Sequence, residues 1–288
     1  MRGTRRGLGW AVMTLAVIGV VAVTGVAVGG KRLKTSSETT SIAPGENGSA
    51  TARCKEGTKA VSGGFETQLT NAGASFIPFQ VTQSNRSAGR EWTAVAHNQS
   101  GEPGDLTSFA YCRDERVETV SEAATLSPVD FETLSPRCPQ GTKVISGGFA
   151  AEPITPNPTP VLTISESRKV GKRTWEVSAF ANGNEEGDLA AYAHCREGKK
   201  LKTKQSSAPL SSDADESAVI EARCKRKQRV VSGGFGSPDD SGGDTPVVFT
   251  SKKAGRRSWG VGAFVGITGN PTEVTAYAYC EKKKPKNS

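Results

Sequence analysis

Three times along this chain a cysteine is followed, at a fixed distance, by Ser-Gly-Gly-Phe. The segments read RCKEGTKAVSGGF (53–65), RCPQGTKVISGGF (137–149) and RCKRKQRVVSGGF (223–235), each glycine pair starting nine residues after its cysteine. Each continues to a basic stretch ending in tryptophan, NRSAGREW (85–92), RKVGKRTW (168–175) and KKAGRRSW (252–259), and closes on SFAYC (108–112), AYAHC (191–195) and AYAYC (276–280). Trp to closing Cys is 20, 20 and 21 residues, and the opening cysteines step by 84 and 86. A triplicated pattern of this kind means that one supersecondary unit is used three times, with one shared core or three separate ones.

The units are read at 31–115, 116–198 and 199–288, the last carrying a basic tail, because LKTSS (33–37) is echoed by LKTKQSS (201–207) directly after the preceding cysteine. No Gly/Ser-rich or Pro-rich linker divides them, which favours a body closed around a pseudo-threefold axis; three tandem β-sandwiches are the alternative. Short Val/Ile/Thr/Phe runs bounded by Gly, Pro, Asn and Asp predict an all-β fold. In the second copy, VLTISES, RKVGK and RTWEVSAFA read as strand, turn and strand, with the turn glycine accepting positive φ. Alternation puts Trp175, Val177, Ala179 and Ala181 on one face, expected to be core, and Glu176 and Ser178 on the other. Trp92, Trp175, Trp259, Phe65, Phe149 and Phe235 are the expected core residues. The paired glycines (63–64, 147–148, 233–234) are expected to mark a bulge or a close backbone approach rather than a phosphate cradle.

Six cysteines could pair in fifteen ways. The repeat selects one, Cys54 with Cys112, Cys138 with Cys195 and Cys224 with Cys280, closing loops of 58, 57 and 56 residues. Each such closure stabilises by about 4 kcal/mol on the chain-entropy estimate, and disulfides require an oxidising compartment.

Residues 1–30 carry a different signal. Arg2, Arg5 and Arg6 precede an uncharged run from Leu8 to Val28, 21 residues long, enough to cross a hydrocarbon core of about 30 Å. This predicts a single-pass membrane anchor, with a signal peptide cleaved near Ala27-Val28-Gly29, and hence secretion, as the rival. Lys31, Arg32 and Lys34 balance the three arginines, so flanking charge does not orient the segment. The disulfides do, placing residues after the anchor outside the cytoplasm.

No CxxC, HExxH, GxSxG, P-loop or GxGxxG occurs, so no enzyme, metal or cofactor is expected. The two histidines, His97 and His194, fall in slots that other copies fill with Phe or Tyr. The stretches before tryptophan collect Arg86 and Arg90; Arg168, Lys169, Lys172 and Arg173; and Lys252, Lys253, Arg256 and Arg257, candidates for binding an anionic ligand at hairpin tips. Phe109 and Tyr111, Tyr192 and His194, and Tyr277 and Tyr279 form repeated aromatic faces, suited to core packing or, if exposed, to stacking on sugars. Residues 31–198 carry a net charge of −3 and residues 199–288 +8. Acidic wall polymers or anionic headgroups fit an extracytoplasmic protein of this charge, and nucleic acid does not. The acidic loop 239–244 lacks a calcium-loop pattern. Asn47, Asn85 and Asn98 satisfy the N-glycosylation pattern.

The order Cys, GTKVxSGGF, Trp, AYAxC resembles repeats in uncharacterised secreted or membrane-anchored actinobacterial proteins, over nearly all of residues 31–288. The threefold plan is similar, more distantly, to the β-prism of vitelline membrane outer layer proteins, which implies three sheets built from an internal repeat. The functional expectation is a non-enzymatic extracytoplasmic surface module, partnered by the membrane through residues 8–28 and by a cell-envelope glycan or anionic polymer. The alternatives are a structural or protein-interaction ectodomain and, last, an envelope-glycan enzyme.

Overall fold

Alternating β-branched and small residues leave this chain little choice but strands, and the computed structural model shows eighteen of them and no helix among the residues it describes. Those residues are 32–69, 79–153, 160–182, 184–210, 217–237, 245–265 and 272–282; the expected membrane segment and the acidic loop lie outside them. The first stretch forms β1 (Lys34–Ile42), β2 (Asn47–Arg53), β3 (Lys59–Leu69), β4 (Phe79–Ala88), β5 (Glu91–Asn98) and β6 (Gly104–Arg113). The second forms β7 (Glu118–Leu126), β8 (Phe131–Leu134), β9 (Thr142–Pro153), β10 (Leu162–Val170), β11 (Thr174–Ala181) and β12 (Gly187–Glu197). The third forms β13 (Lys202–Leu210), β14 (Ser217–Arg223), β15 (Gln228–Gly236), β16 (Val247–Lys253), β17 (Ser258–Phe264) and β18 (Thr272–Lys282).

The eighteen strands make three six-stranded sheets, ordered β1-β6-β3-β16-β17-β14, β13-β18-β15-β10-β11-β8 and β2-β5-β4-β9-β12-β7. Every sheet therefore takes three strands from one stretch of sequence and three from another, and each stretch is divided between two sheets. Tandem sandwiches, in which each sheet would belong to one stretch, are not what the chain forms. The disulfides Cys54–Cys112, Cys138–Cys195 and Cys224–Cys280 each close within a stretch, with Cα–Cα distances of 5.6, 5.6 and 5.7 Å.

The Ser-Gly-Gly-Phe segment explains how the sheets are shared. The residue before each serine is the extra residue of a β-bulge, at Val61, Ile145 and Val231. A bulge leaves a carbonyl outside the ladder. Each is taken up by a serine of another stretch: Ser62 Oγ donates to the Val231 carbonyl at 2.6 Å, Ser146 Oγ to Val61 at 2.7 Å, and Ser232 Oγ to Ile145. The first glycine of each pair lies under its own stretch's tryptophan; a Cβ there would come within 2.1–2.3 Å of the Trp92, Trp175 or Trp259 ring. The second makes the seam, where a Cβ would meet the carbonyl of Ser251, Ser84 or Ser167 on the adjoining strand at 2.2–2.3 Å. Phe65, Phe149 and Phe235 then meet edge to face, centroids 6.1–6.5 Å apart. Such T-shaped pairs add about 0.5–1.5 kcal/mol each beyond the area they bury.

The tryptophans are buried, and each indole N–H donates at 3.0 Å to a serine eight residues earlier, Ser84, Ser167 or Ser251. Trp175, Val177, Ala179 and Ala181 are all buried, on the face expected to be core. All three basic hairpins form, β4–β5, β10–β11 and β16–β17. Of the three turn glycines in these hairpins, only Gly171 has positive φ, at 68°; Gly89 and Gly255 turn without it.

Candidate functional site

The basic hairpin tips sit beside the opening cysteines of their own stretches. Cys54 N donates to the Arg90 carbonyl at 2.8 Å, Cys138 N to Arg173 at 2.8 Å and Cys224 N to Arg257 at 2.7 Å. The three disulfide-bearing ends in turn adjoin, because the residues after the closing cysteines are joined by ion pairs. Arg113 bonds Glu115 at 2.9 Å and Glu281 at 2.7 Å, Arg196 bonds the same two carboxylates at 2.5 and 3.3 Å, and Arg229 bonds Glu281 at 2.5 Å. Burial alone would raise the Glu281 carboxyl, but Arg113 and Arg229 hold it below its ordinary value. Sequence reasoning missed this cluster. The signal was a charged residue directly after each closing cysteine, Arg113, Arg196 and Glu281.

Several candidate cations are engaged inside the protein. Arg86 donates to the Val117 and Gly89 carbonyls at 3.1 and 3.0 Å. Arg168 pairs with Glu166 and Glu176 at 2.8 and 2.9 Å, and its guanidinium lies 6.0 Å from the Tyr277 ring centre. Lys252 pairs with Glu66 and lies 5.4 Å from the Phe109 ring centre. Lys169 and Lys253 lie over Tyr279 and Tyr111 at 5.6 and 5.9 Å, while Arg173 Nε donates to the Cys138 carbonyl at 2.8 Å. Lys172 and Arg256 stand exposed, and Arg90 and Arg257 are half-buried. The hairpins thus contribute fewer free charges than their sequences suggest, for a long cation finds carboxylates and rings on neighbouring strands.

The same end still gathers positive charge from three sources: hairpin tips, the turns after the opening cysteines, and the links between stretches. Lys55, Lys59, Lys172, Lys225, Arg226 and Arg256 are exposed there. Burial lowers the Lys253 ammonium, and the positive charges of Arg32, Arg256, Arg229 and Arg113 lower it further. Arg32 belongs to this end because Lys34 is paired with Cys112 in the first sheet.

The aromatic faces divide. Tyr111, His194 and Tyr279 are buried against the tryptophans, whereas Phe109, Tyr192 and Tyr277 are half-buried. His97 is buried, its Nδ1 3.0 Å from Asn47 Oδ1, and desolvation lowers its pKa. Asn85 and Asn98 are buried, Asn98 donating to the Ile42 and Glu102 carbonyls at 3.0 and 2.9 Å, so neither side chain is presented for modification. Among the described residues no group of three His, Cys, Asp or Glu side chains could hold a metal ion, and no helix is long and apolar enough to cross a membrane. Neither the known protein-family models nor the curated proteins include a match to this chain.

Proposed function

We propose that this protein is a non-enzymatic extracytoplasmic binding module, directed to the membrane by residues 8–28, that applies its disulfide-bearing end to an anionic polymer of the cell envelope. The sharing of strands in a cycle is, on this reading, the pseudo-threefold, β-prism-like arrangement implied by the repeat. One observation carries the functional reading: three basic hairpin tips, three cysteine turns and the entry of the chain at Arg32 all lie at one end. An end on which one charge sign is in excess raises the local concentration of an opposite polymer, and repeated contacts add avidity without requiring one deep pocket. The Ser-Gly-Gly-Phe segments, the strongest motif in the sequence, are used up in assembly, which agrees with a binding surface rather than a catalytic cleft.

Retention of the oxidised protein on isolated cell envelope tests this. Retention should fall steeply as salt rises from about 0.05 to 0.5 M, because surface charges more than a Debye length apart are screened. Reversing Lys172, Lys225, Arg226 and Arg256 to Glu should abolish it while leaving the melting temperature unchanged. Undiminished retention of that variant at low salt would remove the basis of the proposal.

A further inference from the structure

The half-buried rings Phe109, Tyr277 and Tyr192 occupy matching places on β6, β18 and β12, three residues before the closing cysteine. Two of them are covered by a cation from the adjoining hairpin strand, Lys252 over Phe109 and Arg168 over Tyr277. At the matching position before Trp92 the chain has Asn85, and among the described residues no cation lies over Tyr192. Beside this ring is a pocket of about 510 Å³, open to solvent, lined by Ala123, Ala150, Ala190, Tyr192, Glu152 and Asp188, with Ala124, Thr125 and Leu189 completing it; both carboxylates are exposed.

The cavity exists because small residues coincide in register. Ala190 pairs with Ala123 on β7 and with Ala150 on β9. The corresponding cross-strand pairs in the other two sheets are hydroxyls in contact, Thr39 with Thr107 at 2.9 Å and Ser207 with Thr275 at 2.8 Å. In the first sheet the place of Ala150 is held by Glu66, which pairs with the covering Lys252. Around Tyr192 the negative charge comes instead from Asp188 and Glu152, which face each other across β12 and β9. Thr125 donates to Asp188 at 2.6 Å, and burial followed by the Glu152 charge raises the Tyr192 hydroxyl pKa.

We infer that this cavity is a binding site for an organic ammonium group carried on a compact body, of the kind presented by an amino sugar or a lysine side chain. The ring face attracts a cation, two carboxylates accept its N–H groups, and the alanine floor leaves room for the carbon body. A volume of this size suits a small ligand. The site takes a positive group and stands on other residues than the anion-binding end, so the two can succeed or fail separately.

The chain has four tyrosines, so ring-labelled tyrosine NMR on the full-length protein in neutral detergent resolves Tyr192, assigned with Tyr192→Phe. Glucosamine and Nα-acetyl-lysine amide are the probes, and the one that saturates at lower concentration identifies the source. The Tyr192 resonances should shift saturably, and N-acetylglucosamine, which lacks the charge, should bind at least tenfold more weakly. Asn85→Lys, which supplies the cation present in the other two sheets, should leave the fold intact and reduce the probe response at least tenfold; Glu152→Gln with Asp188→Asn should do the same. No Tyr192 shift with either amine, equal binding of the acetylated sugar, or an undiminished response in Asn85→Lys would overturn the inference.

Discussion

The corner around Trp175 and the corner around Trp92 share a backbone plan and differ in one ring and in the cation beside it, Lys169 at the first and Arg86 at the second. At the first, Trp175 meets Tyr279 edge on at 5.6 Å, and the Tyr279 hydroxyl accepts the Lys169 backbone N–H at 2.6 Å. The Trp259 corner is built the same way, with Tyr111 accepting from Lys253 N at 2.7 Å. At the Trp92 corner the ring is His194, 5.4 Å from the indole, its Nδ1 3.1 Å from Thr119 Oγ1. His194 Nε2 and Arg86 Nε are both buried without a hydrogen-bond partner. Imidazole is shorter than phenol and carries no terminal hydroxyl, and Arg86 stands where the other corners have Lys169 and Lys253, so two sequence differences leave this corner with two orphaned polar atoms. Such atoms cost stability that a complete network would not.

The largest effect should be common to both corners. Gly63→Ala at the Trp92 corner and Gly147→Ala at the Trp175 corner put a Cβ 2.1 and 2.3 Å from the ring, next to backbone carbonyls at 2.5 and 2.3 Å. Each should cost at least about 3 kcal/mol in chemical denaturation, the upper part of the overpacking range. A loss below about 1 kcal/mol at either would break the shared plan.

The next effect separates them. Burial, reinforced by the Arg86 charge, lowers the His194 pKa from 6.5 to about 3. The unfolded chain therefore binds this proton first, and the stability it confers is complete above about pH 6.5 and is lost as pH falls toward 3. The loss should reach about 2 kcal/mol by pH 5, where about 1.5 pH units of that window have been crossed. His194→Tyr should remove the part of the acid sensitivity that begins above pH 5, and a pH–stability curve unchanged by that substitution would contradict the assignment.

Smaller still is Tyr279→Phe. It leaves the Lys169 N–H without its acceptor and should cost about 1–2 kcal/mol, independently of pH between 4 and 8. His194→Tyr should shift stability at pH 7 the other way, by about 1 kcal/mol, if its hydroxyl reaches the Arg86 backbone as Tyr279 reaches Lys169. The least effect belongs to the exposed tips: Lys172→Ala and Arg256→Ala should change stability by less than about 0.5 kcal/mol, so any loss of envelope retention in them reports on binding.

Legibility in the sequence followed the range of the interaction. The pairing of the cysteines was readable because the repeat fixes their spacing, and the buried face of β11 because side chains alternate along a strand. The role of the hairpin cations was not: Glu66, which engages Lys252, is 186 residues away, and nothing local to KKAGRRSW announces it. Nor was the Tyr192 cavity, since Ala123, Ala150 and Ala190 are unremarkable until register brings them side by side.

The sequence alone determined that this chain makes strands, closes three disulfide loops and buries a Trp, a Phe and two glycines in each third, because those consequences follow from spacing and side-chain size within one unit. Only the tertiary structure decided which strands adjoin. Hydrophobic alternation states that a face is buried but not by what, and an edge strand of one unit offers the same backbone groups to its own neighbours as to another unit's. The bulge carbonyls and the serine hydroxyls that donate to them break that tie, and they act between residues that no local pattern connects.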